Sequence, residues 1–357
     1  MASIARLEPG KILIVLHGAI GDVARALPLA SLLRRRFPGA SLIWSVEPAS
    51  LPLLELCRGI DDIIVFDRGR GVGAFWRFLK TIRGRRFDLV IDLQRHLKSG
   101  FISRWSGASY RLGFHRFDAK EFNWLFNNFH IPAMGEAVPK IFHYLKFAEF
   151  LGASPEPIEW DLQLTAEDHL RAASLLGGPE VRAAALFVGS RWQSKQWFAE
   201  QIAATASAIR LRHGLEVVFL GGPGERSLAS EAEALAKERI INLTGKTSLR
   251  EAVAIISRVC VCVGPDTGLM HIAAALGTPV VSLWGATDPG RTGPFGFGDL
   301  VIRGVAECSP CRKRHCAIGR LCMQSIGTEA ILAMIERALG RAAASRRQAG
   351  SASVSIY

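Results

Sequence analysis

The sequence predicts an α/β protein of two doubly wound domains facing one cleft. Short, near-continuous apolar runs alternate with helical stretches, as the strands of a parallel sheet covered on both faces require. Those runs end in turns of glycine and polar residues, where a strand hands over to a helix. The chain of 357 residues, 49% apolar, is long for one core and comfortable for two.

Residues 12–16, Ile-Leu-Ile-Val-Leu, read as the opening strand. The turn His17-Gly18-Ala19-Ile20-Gly21-Asp22 follows, and a helix is predicted over 23–37. The run is too short for a signal-peptide core, and no apolar run approaches the roughly 20 residues of a membrane span. The expected location is therefore the cytoplasm. Residues 42–46 and 63–66 fit two further strands. Residues 89–92 fit a fourth, leading into the polar turn Leu93-Gln94-Arg95-His96-Leu97-Lys98.

A Pro/Gly/Ser stretch over 151–158 suits a linker. The predicted domains are 1–155 and 156–340, followed by an Ala/Ser/Arg/Gly-rich tail, 341–357, expected to be frayed. In the second domain, a strand over 184–188 leads into Gly189-Ser190-Arg191-Trp192-Gln193-Ser194-Lys195. Another over 215–220 leads into Gly221-Gly222-Pro223-Gly224-Glu225. A β-branched run from Val259 to Val263 ends at Gly264-Pro265, a helix is predicted over 269–276, Gly277 stops it, and a buried strand resumes over 279–283. That strand-turn-helix exposes the amides of Thr267, Gly268 and Leu269 at the positive end of a helix, a site suited to phosphate or diphosphate.

The net charge of +12 is unevenly shared: 22 Lys/Arg stand against 13 Asp/Glu in residues 1–150, and 22 against 19 after them. Solvated helix faces account for isolated basic runs. A surplus gathered in one domain also suits an anionic partner. No nucleic-acid partner is expected, because the basic residues are spread over a domain and form no single aromatic-interleaved patch.

Several polar residues fall beyond the carboxyl ends of predicted strands, where ligands of doubly wound sheets sit. Asp22 has two roles open to it, first-turn helix charge or general base. Lys195 is either a surface lysine or a phosphate-neutralising one. Glu225 can accept from ribose hydroxyls or serve as a first-turn charge. Asp266 either caps its helix or holds neighbouring amides or a sugar hydroxyl. His271, one turn into that helix, can donate to phosphate or be satisfied in place. Four late cysteines, Cys308, Cys311, Cys316 and Cys322, lie within fifteen residues. They read as a small structural knot suited to zinc or an iron–sulfur centre, whose four thiolates would leave no open catalytic position.

Taken together, the segment from Lys11 to Asp22, the segment from Gly264 to His271 and Trp284-Gly285-Ala286-Thr287-Asp288-Pro289 resemble glycosyltransferase family nine, the ADP-heptose:lipopolysaccharide heptosyltransferases. The resemblance covers about residues 11–335. It implies a GT-B architecture of two Rossmann-like domains, the first binding acceptor and the second nucleotide-sugar. It implies inverting transfer of heptose from ADP-heptose onto the lipopolysaccharide inner core, with Kdo-lipid A or heptosyl-Kdo-lipid A as acceptor, at the anionic face of the inner membrane. Asp22, with Gly21 in its turn, is similar to the family's catalytic base. Lys195 is similar to the lysine on the donor diphosphate, and Glu225 to the acid on the ribose. Asp266, Thr267, Gly268, Leu269 and His271 are similar to the donor-contacting segment, and Lys98 to a basic acceptor residue. The family needs no catalytic metal, and the chain has no Asp-x-Asp donor motif. Two other readings compete: a GT-B transferase or epimerase using another nucleotide-sugar, and a basic nucleic-acid-binding protein with a zinc module at the cysteines.

Overall fold

The computed structural model describes residue 4 and residues 6–352, excepting the side chains of 342–352. The chain divides into two compact units, with the boundary between Gln163 and Leu164.

The first unit is a six-stranded parallel sheet. Its strands are β1 (Lys11–Val15), β2 (Ser41–Val46), β3 (Asp62–Val65), β4 (Leu89–Asp92), β5 (Tyr110–Gly113) and β6 (Phe129–His130), in the order β3-β2-β1-β4-β5-β6. The second unit repeats the plan with β7 (Ala183–Phe187), β8 (Glu216–Leu220), β9 (Ile241–Asn242), β10 (Val261–Pro265), β11 (Val280–Trp284) and β12 (Val301–Arg303). Its order is β12-β11-β10-β7-β8-β9, the same winding met from the other edge. Two Rossmann-like units in one chain are the GT-B fold class that the sequence predicts. Ile12 to Val15 of β1, and all of β7, β10 and β11, are buried, so the apolar runs are central strands covered on both faces.

In both sheets the winding reverses between the first and fourth strands of the unit, at β1/β4 and at β7/β10. At such a switch point the connections leave on opposite sides and open a crevice at the carboxyl ends. Asp22 and the 93–98 turn follow β1 and β4. The 189–195 and 266–271 turns follow β7 and β10.

Three expectations are corrected. The helix predicted over 23–37 is two helices, Ile20–Ala26 and Pro28–Arg36, because Pro28 has no N–H to continue the ladder and starts a new helix instead. The stretch read as a linker belongs to the first unit. Trp160 Nε1 donates to the Ala24 carbonyl at 2.8 Å, Arg35 Nη1 donates to Glu159 Oε2 at 2.6 Å, and Leu162 bridges to Cys57. These contacts carry the boundary past 155/156. The helix Thr328–Ala352 runs into the predicted tail, whose Ala and Arg residues favour helix; residues 353–357 of that tail lie outside the described residues.

Candidate active site

Asp22 stands in the first turn of Ile20–Ala26, behind buried Gly21 and directly after β1. Its side chain caps nothing. Oδ1 instead accepts from Arg25 Nη2 at 2.8 Å and from Lys140 Nζ at closer range. Burial pushes the Asp22 carboxyl up, but Lys140 and Arg25 together outweigh it and hold the group well below the usual carboxylate range. Lys140 opens the helix Lys140–Phe150, and Tyr144, one turn on, lies under its ammonium with the ring centroid 5.8 Å away. Burial works against the Lys140 charge, yet Tyr144 and Asp22 raise its pKa. The result is an ionised, partly buried carboxylate at the switch point of the first sheet. Lys140, Arg25 and Tyr144 escaped sequence reasoning: Lys140 lies 118 residues from Asp22, and no local pattern marks it.

The turn after β4 is built around Asp92. Its Oδ1 accepts from the Gln94 amide at 3.0 Å, and its Oδ2 accepts from Ser99 Oγ at 3.2 Å and Asn123 Nδ2 at 2.8 Å. Burial nevertheless raises its pKa to about 6 against those donors. The fixed turn delivers Lys98, whose Nζ lies 4.7 Å from the Phe66 ring centroid and 5.7 Å from that of Phe75. Desolvation there, with Arg68 nearby, lowers the Lys98 pKa. Buried His17, hydrogen-bonded to Ser45 Oγ at 2.7 Å, is lowered to about 3 by burial and then by Arg68 and Lys98. It is a neutral neighbour of Lys98 and of Arg68, whose guanidinium pairs with Glu47.

In the second unit the structure gathers the residues singled out around β7 and β10. Lys195 Nζ donates to Asp266 Oδ2 at 2.5 Å and lies 4.3 Å from the centre of the Trp192 ring. Thr287 Oγ1 donates to the same Asp266 oxygen at 2.8 Å, and Ser190 Oγ donates to the Asp266 carbonyl at 2.9 Å. His271 Nε2 is buried 4.0 Å from Asp266 Oδ1. Asp266 therefore does not cap its helix, which begins at Gly268 with Thr267 as an N-cap whose side chain makes no cap bond. The amides of Gly268 and Leu269 stand at the positive helix end. Gly264 permits the approach, since a Cβ there would sit 2.6 Å from Phe187 Cβ and 2.8 Å from its carbonyl oxygen. Thr287 and Ser190 are additions to the sequence-derived set.

Glu225 stands apart from that cluster, at the end of the turn Pro223–Glu225 after β8. Its carboxylate accepts from the Gly222 amide, and its Cγ lies 2.3 Å from where a Cβ on Gly189 would stand, while a Cβ on Gly221 would come within 3.0 Å of the carboxylate. Burial raises its pKa.

The cysteine-bearing loop braces the Lys195 turn. Ser194 Oγ donates to the Lys313 carbonyl at 2.6 Å, the Cys316 amide donates to Gln193 Oε1 at 2.9 Å, and Arg320 Nη1 donates to the Gln196 carbonyl at 3.0 Å. Cys308 is exposed, Cys311 and Cys316 are half-buried, and Cys322 is buried; all four are free thiols. Burial comes first in raising the Cys322 pKa, and the other three cysteines add to it. Among the described residues no three His, Cys, Asp or Glu side chains form a group that could hold a metal ion. As placed, the four thiols do not fit the closed thiolate site expected from their spacing.

The family model for Glycosyltransferase family 9 (heptosyltransferase) matches residues 75–321, more than half of the chain. The chain is 27% identical over 297 residues to the lipopolysaccharide core heptosyltransferase OpsX of Haemophilus influenzae, covering 82% of this chain and 84% of that protein. It is 27% identical over 324 residues to lipopolysaccharide heptosyltransferase 1 of Pseudomonas aeruginosa, covering 86% and 87%. Among solved structures, the ADP-heptose lps heptosyltransferase II of E. coli superimposes with a TM-score of 0.76 at 23% identity, covering 93% of this chain and 99% of that one.

Proposed function

The chain belongs to glycosyltransferase family 9, and from that premise we propose that it transfers heptose from ADP-heptose to the inner core of lipopolysaccharide, with inversion. The observations that carry this reading are, in the first unit, an ionised carboxylate at the switch point of its sheet and, in the second unit taken by itself, a lysine and the first amides of a helix at the switch point of its own. A single displacement needs both: a base for the incoming hydroxyl and positive charge for the departing nucleotide.

Asp22 takes the proton of the acceptor hydroxyl as its oxygen bonds to the anomeric carbon of the heptose. The bond from that carbon to the ADP oxygen breaks on the opposite side, and ADP leaves with the electron pair. Lys195 and the amides of Gly268 and Leu269 meet the charge growing on the diphosphate, with Thr267 shaping the turn and His271 as a further donor. Glu225 accepts from the ribose hydroxyls. Asp266 holds Lys195 until the diphosphate takes its place. Lys98, with Arg68, meets the anionic sugar of a Kdo- or heptosyl-Kdo-lipid A acceptor, and Gly21 leaves room beside Asp22. The cysteine loop fixes the Lys195 turn through its backbone and hydrogen bonds. The relatives named for lipopolysaccharide synthesis support an enzyme working at the cytoplasmic face of the inner membrane. No helix among the described residues is long and apolar enough to cross a bilayer.

The test is turnover of ADP-heptose with Kdo-lipid A and with heptosyl-Kdo-lipid A, product configuration being read by NMR. Inverted product is expected, and Asp22→Ala is expected to abolish it. Normal turnover by Asp22→Ala would remove Asp22 as base. A preference for a UDP- or GDP-sugar would replace the donor with that of another nucleotide-sugar enzyme.

A further inference from the structure

The helices Gly71–Gly84 and Leu97–Trp105 of the first unit present a face that the site described above does not use. Phe78, Leu79 and Ile82 of the first helix turn inward to the core, while Val72 and Trp76, one turn apart, remain 73% and 48% exposed. On the second helix Leu97, Phe101 and Trp105 repeat the spacing and are 49%, 36% and 38% exposed. Residues four apart share one side of a helix, so each helix contributes an apolar stripe.

The stripes meet. Trp76 packs edge-on against Trp105 with ring centroids 5.8 Å apart, Phe101 stacks on Trp105 at 5.8 Å, and Phe75 joins Trp76 to Phe101. Trp105 Nε1 donates to the Leu79 carbonyl at 3.2 Å, so its polar edge is satisfied while its ring faces outward. Around this aromatic surface the two helices carry Arg77, Lys80, Arg83 and Arg104 and no acidic residue, while Lys98 turns to Phe66 and Phe75. Arg83 reaches the rim itself, donating to the Trp105 carbonyl at 3.4 Å.

We propose that this two-helix face seats the protein on an anionic bilayer surface, with Trp76, Phe101 and Trp105 at the headgroup boundary and the surrounding Arg and Lys side chains against lipid phosphates. Tryptophan is at home at that depth because its ring is apolar and one edge is polar. A cationic rim without acids is complementary to anionic lipid and would repel a second copy of the same face. The placement deepens the reading of a lipid-anchored acceptor, but binding to lipid does not require turnover, so the two fail separately.

The test is flotation of the full chain with phosphatidylglycerol-containing vesicles and with pure phosphatidylcholine vesicles. Binding is expected only to the anionic vesicles and is expected to fall as salt rises. Trp76→Ala/Phe101→Ala is expected to lower partitioning about tenfold through lost apolar burial, and Arg77→Glu/Lys80→Glu to abolish it. Arg77→Glu/Lys80→Glu is expected to keep the wild-type melting temperature, both side chains being exposed, and Trp76→Ala/Phe101→Ala to remain folded with a lower one, since it gives up ring contacts with Phe75 and Trp105. Wild-type partitioning by both variants, or no vesicle binding by the parent chain, overturns the proposal. So does a dimer in sedimentation that Trp76→Ala/Phe101→Ala dissolves, which would give the face to a second copy.

Discussion

Lys195 Nζ lies 2.5 Å from Asp266 Oδ2, and Thr287 Oγ1 reaches the same oxygen from 2.8 Å. The lysine proposed for the diphosphate is thus already paired, and an incoming phosphate oxygen must displace a carboxylate. Two substitutions separate these roles. Lys195→Ala removes the cation that meets leaving-group charge and is expected to lower kcat about 10²–10³-fold, with weaker ADP binding. Asp266→Asn keeps an acceptor for Thr287 but removes the competing charge, so ADP is expected to bind severalfold more tightly by calorimetry while turnover falls. Loss of ADP binding in Asp266→Asn would make Asp266 a ligand contact instead of a placeholder.

Asp22 is pinned by Lys140 and Arg25, which fixes the direction of its pH dependence. A base must be deprotonated, and these cations hold the carboxyl well below its ordinary range, outweighing burial. The acid limb of kcat/KM is therefore expected below the pH where a free aspartate titrates. An opposite charge in contact lowers such a carboxyl by about 1–3 pH units, so Lys140→Met should move the limb upward by about one unit or more. Pre-steady-state turnover across pH 3 to 7, taken as roughly the range over which carboxyl groups titrate, reads this directly. An unmoved limb would assign the base elsewhere.

The strands buried on both faces were legible because that burial leaves an unbroken apolar run, as in β1 and β7, whereas β5, half-buried at Tyr110 and Arg111, was not read. The edge strands β6, β9 and β12 were not. They are two or three residues long and half exposed, and only their neighbours define them as strands. Asp22, Lys195 and Asp266 could be picked out because each sits in the turn after a strand, where doubly wound sheets bind ligands. Their partners were not assigned: Lys140 reaches Asp22 only through tertiary structure, and Thr287, though within a resembling segment, shows its bond to Asp266 only once the chain is folded. Cysteine spacing pointed to a metal cage, which no grouping of side chains among the described residues shows; what the spacing could not show is that the same loop braces the Lys195 turn through its backbone and polar side chains.

Asp92 provides a stability signature. Burial lifts its pKa to about 6, above its ordinary value of 3.8. Between those two values the folded chain binds a proton that the unfolded chain has lost, so stability falls as pH rises from about 4 to about 6 and is level above. Asp92→Asn is expected to remove that fall, because an amide does not titrate. Its NH₂ would meet either the Gln94 amide or the donors Ser99 and Asn123. The variant should therefore lose about 1–3 kcal/mol at low pH. Urea unfolding of wild type and variant at several pH values checks both parts; a slope that persists in Asp92→Asn would belong to another group.

Gly189 and Glu225 give the sharpest test of the donor side. A Cβ at Gly189 would stand 2.3 Å from Glu225 Cγ, and the Glu225 carboxylate is tied to the Gly222 amide, so the side chain cannot make room without giving up that bond. Gly189→Ala should therefore push Glu225 out of place at an overpacking cost of about 1–3 kcal/mol. If Glu225 binds the ribose equally in ground and transition states, donor KM rises while kcat changes little. Gly189→Ala/Glu225→Ala relieves the overlap, so stability should recover while ADP affinity stays low. That split separates a packing defect from a lost ligand contact: ADP affinity returning together with stability would show that Glu225 shapes the turn and touches no nucleotide.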